Sequence, residues 1–332
     1  MLKFLIIQTA FIGDVVLATA IAEKLYQHYP EAQIDILVRK GNESLLKGHP
    51  FIGKVWVWNK KQGKFRNLLK LGAEIRNERY DDVINLQRFF SSGLLTVLSG
   101  AKTKRGFNKN PLSALFTVRK DHVMSKDGVL HETERNQQLI EDITDAIAAP
   151  PRLYPSDPDK KKVEDLTANP YICCAPASVW FTKQYPKSYW ISFIKKLPRD
   201  INVFLLGGPG DKALCEEIIM QSGNSNAENL CGKLSLLESA ALMAGAKMNY
   251  VNDSAPMHFA SSVNAPVTAI FCSTVLNFGF GPLSENQNVV QIDYPLYCRP
   301  CGLHGYKKCP QGHFKCAHDI PHNRLIDILD EQ

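Results

Sequence analysis

A doubly wound α/β fold, built twice in succession, is what this sequence of 332 residues predicts. Three observations carry the prediction. Short continuous apolar runs, the mark of strands covered on both faces, recur at residues 2–8, 33–38, 82–86, 171–175, 202–206 and 266–271. Stretches with helical spacing of apolar side chains lie between them, which is the order that produces βαβ units and parallel sheets. The alternation then halts at 149–169 (APPRLYPSDPDKKKVEDLTAN), rich in proline and charge, before it starts again.

In the first half, the strand at 2–8 passes through a loop to Asp14 and an amphipathic helix at 15–29. A strand at 33–38, a short helix at 43–47, a strand at 54–58, a basic helix at 65–79 and a strand at 82–86 follow, and residues 87–92 (QRFFSS) begin another helix. Lys102, Lys104, Arg105 and Lys109 surround Phe107 and read as a basic, aromatic surface suited to an acidic amphiphile or a nucleic acid. No nucleic-acid motif accompanies them.

The proline-rich stretch reads as a linker with a short solvated helix. Beyond it come a strand at 171–175, a helix at 190–197, a strand at 202–206 and a glycine-rich turn at 207–211 (GGPGD). A helix at 213–221, a short strand ending at Cys231, a helix at 236–244 and an apolar run at 248–251 lead into NDSAPMHFA at 252–260. That stretch opens a helix to about residue 263, and the strand at 266–271 comes after it.

Composition narrows the function classes. With 45% hydrophobic and 22% charged residues the chain is an ordinary soluble globular protein, long enough for two cores. No segment approaches the ~18 uninterrupted apolar residues that span a bilayer. The run FLIIQTAFI after Lys3 is broken by Asp14 and reads as a core strand rather than a signal peptide. A cytoplasmic location is expected, with the nine cysteines reduced or metal-bound. Residues 1–150 hold 22 lysines and arginines against 16 acids, and residues 151–332 hold 17 of each. The basic half predicts an anionic partner, or else a solvated basic face.

Asp14 stands where the first strand gives way to the first helix, the place where open α/β sheets put their ligand crevice. It serves either as a functional carboxylate or as a cap on that helix. The loop holds a single glycine, Gly13, so a dinucleotide fingerprint is absent. NDSAPMHFA is the corresponding junction of the second half. Asp253 or Ser254 is expected as N-cap, Pro256 in the first turn and His258 close behind, leaving backbone N–H groups that attract phosphate. An ordinary capped helix with a buried histidine fits the same residues.

Taken together, residues 179–186 (VWFTKQYP), the glycine-rich turn, residues 229–238 (NLCGKLSLLE), NDSAPMHFA and the turn Ile12-Gly13-Asp14 fall in the order and spacing of the ADP-heptose:lipopolysaccharide heptosyltransferases. The chain resembles that family, particularly heptosyltransferase II-like members, over almost its whole length. The resemblance implies a GT-B fold, two Rossmann-like doubly wound domains facing a central cleft. Residues 1–150 would form the acceptor-binding domain, 151–169 the linker and 170–322 the nucleotide-sugar domain. The tail 323–332 would be a helix that returns to pack on the first domain.

The implied reaction is inverting transfer of heptose from ADP-L-glycero-D-manno-heptose to Kdo-lipid A or heptosyl-Kdo-lipid A. No cofactor or metal is implied, no nucleic acid is expected, and a peripheral location on the anionic inner membrane is compatible with the basic half. By the same resemblance Asp14 is the base and Lys183 the phosphate-binding lysine. Thr182, Gly208, Asp211, Asp253, Ser254, Ala255, Pro256 and His258 bind donor. Gly13, Arg88, Lys102 and Arg105 are the candidate acceptor residues. Ala255 stands where glycine is usual, which is acceptable only if its φ is negative.

Two other readings remain open from sequence: a GT-B transferase using a different nucleotide sugar, and a non-catalytic binder of RNA or an anionic surface. In the tail segment 298–316, Cys298, Cys301, Cys309 and Cys316, interspersed with histidines, are numerous enough for a structural zinc. Only the first pair has familiar zinc spacing, and free thiols are the preferred reading.

Overall fold

The computed structural model describes residues 1–60, 64–124 and 130–331. The chain divides into two compact units, one comprising Met1–Met124 with Leu130–Tyr154 and the other continuing from Pro155. The division falls inside the proline-rich stretch.

The first unit runs β1 (Lys3–Ile7), α1 (Ile12–His28), β2 (Gln33–Arg39), β3 (Ile52–Trp58), α2 (Lys64–Asn77), β4 (Asp82–Asn85), α3 (Phe90–Leu98), β5 (Thr103–Phe107), β6 (Val118–Lys120) and α4 (Glu132–Gln137). Its six strands are all parallel, in the order β3-β2-β1-β4-β5-β6. β1 is buried along Phe4–Ile7 because helices cover both faces, which is why it reads as a continuous apolar run. On α2 the apolar positions Leu68, Leu71 and Ile75 turn inward against Trp58, Tyr80 and Val83. The chain leaves that helix through Arg79 at φ 57°, a left-handed residue that prevents the helix from reaching residue 79.

The second unit runs α5 (Asp157–Val163), β7 (Tyr171–Ala175), α6 (Lys187–Lys196), β8 (Asn202–Leu205), α7 (Lys212–Ser222), β9 (Ala227–Asn229), α8 (Leu236–Ala244), β10 (Asn249–Asn252), α9 (Ala255–Ser262), β11 (Val267–Ile270), β12 (Gln287–Val290), α10 (Lys315–His318) and α11 (Arg324–Asp330). Its sheet, also parallel, is ordered β12-β11-β10-β7-β8-β9. Numbered from the start of the unit and read from the other end, this is the strand order of the first sheet again. In each, the order reverses between the first and fourth strands, β1/β4 and β7/β10.

Several expectations are corrected. Residues 43–46 form a 3₁₀ turn rather than an α-helix. The expected basic aromatic surface is interrupted by β5, in which Phe107 is fully buried and Arg105 is 3% exposed, while Lys102 and Lys109 on either side of the strand are exposed. Leu325, Ile328 and Leu329 of α11 lie in the core of the second unit with Tyr250, and the Tyr250 hydroxyl donates to the Leu325 carbonyl at 2.9 Å.

Candidate functional site

In a parallel sheet every strand ends at the same edge, and the loops leaving that edge converge where the strand order reverses. In the first unit this edge carries Asp14. α1 begins two residues before it, so the carboxylate occupies the first turn and accepts from the Phe11 N–H at 3.1 Å. Burial, and then the negative charge of Glu132, push its pKa from the ordinary 3.8 up to about 6, against the opposing pull of the Phe11 amide and Arg39. Beneath it the loop is fixed by amides. Gln8 is buried, accepting from the Ala10 N–H at 3.2 Å and from the Gln87 side chain. Gly13 is buried in the first turn of α1.

The remaining acceptor candidates separate. Arg88 follows β4 at this same edge, exposed, with its guanidinium 5.4 Å from the centre of the Phe89 ring. Lys102 immediately precedes β5 and therefore lies at the opposite edge, paired with Asp81 at 2.7 Å. Arg105 is consumed structurally: Nε is 2.6 Å from Asp82 and Nη1 is 2.5 Å from Asp142. Neither Lys102 nor Arg105 stands with Asp14.

Sequence reasoning missed a cluster at that edge. Glu132 opens α4 and receives His122 Nε2 at 2.9 and 3.0 Å and Arg135 Nε at 2.9 Å. His122 Nδ1 is 2.5 Å from Lys109 Nζ, and its ring packs edge-on against Phe107. Burial disfavours the Glu132 anion, yet the bonds from His122 and Arg135 overcome it and hold the carboxyl below its ordinary range. Lys109 is pushed down to about 8 by burial, with Arg88 and Arg135 adding to the shift against the attraction of Glu132.

In the second unit the loop after β7 is shaped by Asn252, the last residue of β10. Its amide donates to the Pro176 carbonyl at 2.8 Å and accepts from the Tyr185 N–H at 2.9 Å. The loop turns through Phe181–Lys183. Thr182 Oγ1 accepts from the Tyr306 N–H at 2.8 Å and from Ser273 Oγ at 3.0 Å. Lys183 Nζ lies 2.7 Å from Asp253 Oδ2, and the same oxygen accepts from Thr274 Oγ1 at 2.5 Å. Lys183 and Asp253 are thus one charge pair, which the sequence did not indicate.

Ser254 is the N-cap of α9, but no side chain caps the helix. Pro256 sits in the first turn, and His258 is 6% exposed, a wall of the site rather than an open contact. Ala255 opens the helix and is not among the positive-φ residues, so its methyl group is tolerated. Farther along this edge, Asp211 folds back to accept from the Gly208 N–H at 2.8 Å. A Cβ on Gly207 would stand 2.9 Å from Cys231 Sγ and from Asp211, which explains a glycine there. In the tail, Cys298 Sγ and His313 Nε2 are 3.9 Å apart, but among the described residues no three histidine, cysteine or acidic side chains are placed to hold a metal. The zinc reading gains no support from this geometry.

Two parallel α/β units of one topology, each with charged groups at its switch point, make a fold of the GT-B type. Comparison with known proteins narrows the class. The chain belongs to glycosyltransferase family 9 (heptosyltransferase), whose family model matches residues 68–306. Lipopolysaccharide heptosyltransferase 3 of Escherichia coli K12 is 30% identical over 294 residues, 82% of this chain and 83% of that protein. Lipooligosaccharide heptosyltransferase 2 of Campylobacter jejuni is 25% identical, covering 98% of this chain and 97% of its own. The structure of E. coli ADP-heptose lipopolysaccharide heptosyltransferase II shares the fold at a TM-score of 0.80 and 23% identity, over 99% of this chain and 98% of that one. The chain is therefore an enzyme, and the non-catalytic reading is set aside. No described helix is long and apolar enough to cross a membrane.

Proposed function

We propose that the enzyme transfers heptose from ADP-L-glycero-D-manno-heptose to the inner core of lipopolysaccharide, Kdo-lipid A or its heptosylated form, with inversion at the anomeric carbon. The acceptor lies against the first unit and the nucleotide sugar against the second. Asp14 accepts the proton of the acceptor hydroxyl as its oxygen bonds to the anomeric carbon, and the bond to the diphosphate oxygen breaks on the opposite face. The expelled ADP carries the electron pair. Lys183 and the positive end of the α9 dipole meet that charge.

Asp253 holds Lys183 in place and faces sugar hydroxyls rather than phosphate, because two anions in contact repel. Thr182 supports the lysine, and Gly208 and Asp211 shape the turn beside the nucleoside. Arg88 and the basic first half suit phosphorylated lipid A, the acidic Kdo sugars and the anionic inner face of the membrane where such an acceptor resides.

The observation that carries this reading is Asp14 itself: a carboxylate at a strand–helix junction whose pKa is raised to about 6 is ionised at neutral pH yet basic enough to hold a proton. The test is a donor screen. Nucleotide release with Kdo-lipid A as acceptor should be fastest from ADP-heptose and near background from UDP- and GDP-sugars. Preferential turnover of a UDP- or GDP-sugar would replace the donor assignment.

A further inference from the structure

The proposed transfer leaves a buried carboxylate at the edge of the first sheet without a task. Glu132 is 7% exposed, an expensive place for a charge unless something uses or compensates it. Its compensation is one-sided in kind. His122 and Arg135 donate to the carboxylate at 2.9–3.0 Å. Lys109 Nζ, 2.5 Å from His122 Nδ1, places the imidazole proton on Nε2, where it points at Glu132. α4, which begins with Glu132, packs against α1, which carries Asp14.

The groups acting on Asp14 are few. Glu132 from α4 is the principal negative charge, Arg39 from the end of β2 the principal cation, and the Phe11 N–H the local donor. His122, Arg135 and Lys109 act on Glu132, with Arg88 facing Lys109. A pair of carboxylates whose surroundings drive one to ionise readily and the other to hold its proton is the arrangement by which enzymes divide acid and base roles.

We propose that Glu132, fixed as an anion by His122 and Arg135, is a positioning residue whose charge drives the acceptor's proton onto Asp14. It touches no substrate in this scheme. The inference rests on Asp14 being the base, and it adds that the strength of that base is set by a network of residues in β5–α4 rather than by burial alone. The step stays balanced: the proton moves from the acceptor hydroxyl to Asp14, and Glu132 neither gains nor loses one.

The decisive experiment is the pH profile of kcat/KM for the acceptor, measured for wild type and Glu132→Gln. Wild type should lose activity on the acid side with a midpoint near 6. In the variant the midpoint should move acidward by roughly half to one pH unit, and kcat at pH 8 should fall about 3- to 10-fold, with KM for the nucleotide sugar unchanged. A merely structural Glu132 would lower activity without moving the midpoint, and that result overturns the proposal.

If the variant does not fold, the carboxyl ¹³C titration of Asp14 in the wild-type protein, assigned by difference from Asp14→Asn, takes its place. A midpoint near 4 would overturn the proposal there. Full activity of Asp14→Asn would instead sink the reading of Asp14 as base, an outcome distinguishable from either.

Discussion

The two sheets share one strand order, yet their switch points hold opposite electrostatics. At the first, Asp14 makes no ion pair among the described residues, and its pKa rises to about 6. At the second, Asp253 is 7% exposed in its side chain and bonded to Lys183 at 2.7 Å and Thr274 at 2.5 Å. Topology decides where functional groups gather. Pairing decides what they do, because a desolvated carboxylate without a cation in contact competes for protons while one in contact with a cation serves to orient it. On the proposed reading, the same chain position, just past a parallel strand, supports base chemistry in one unit and anion binding in the other.

The largest effect that would break this contrast is expected at Asp14. Asp14→Ala should lower transfer by about 10²- to 10⁴-fold, the usual worth of a positioned base, while calorimetric affinity for the nucleotide sugar stays within a factor of about two. Parallel losses of transfer and donor affinity would mean that Asp14 serves the donor and that the division of labour between the units is wrong.

A smaller effect is expected at the other pole. Lys183→Ala should weaken ADP binding by roughly 10- to 100-fold, the 1.5–3 kcal/mol of a charged hydrogen bond, and destabilise the unit by leaving Asp253 buried without its cation. Adding Asp253→Asn should restore the melting temperature but not the affinity. If the double variant binds ADP normally, Lys183 does no more than neutralise Asp253.

What the sequence revealed follows the physics of each element. The strand at 171–175 and the helix at 236–244 were readable residue for residue, because the first is a buried apolar run and the second joins a Ser235–Glu238 capping box to one buried apolar face. β5 (TKRGF), β6 (VRK) and β12 (QNVV) were not, since an edge or near-edge strand of a parallel sheet need not be apolar. α4 (ETERNQ) has no apolar period, and ion pairs rather than hydrocarbon bury it, so hydrophobic patterning passed over it.

The site divides along the same line. Asp14, Lys183 and the start of α9 were legible because each follows a strand directly. Glu132, His122 and Arg135 were not, because their meaning lies in contacts between α4 and the segment after β6. Arg105 shows the converse error: a cation in a basic run reads as surface, but nothing in the run reveals Asp82 and Asp142 waiting across the sheet and the following helix. The tail drew attention for its cysteines, whereas it meets the site through the Tyr306 backbone at Thr182 and the Arg299 guanidinium at the Thr274 carbonyl.

The smallest effect expected is on stability, and it sharpens the contrast without any substrate. Asp14 titrates at its ordinary 3.8 when unfolded and at about 6 when folded, so between those values the folded state binds more protons. Stability from this group therefore declines as pH rises from about 4 to 6, and above that window the ionised carboxylate costs on the order of 1–3 kcal/mol, toward the lower end given its partial exposure. Asp14→Asn keeps an acceptor for the Phe11 N–H and removes the charge. It should melt a few degrees higher than wild type at pH 8 and at the same temperature at pH 4. Asp82, also raised to about 6 by burial against the pull of Arg105, tilts both proteins alike and cancels in the difference. Equal melting temperatures at both pH values would place Asp14 at an ordinary carboxylate value, and the two switch points would then differ only in whether a lysine stands nearby.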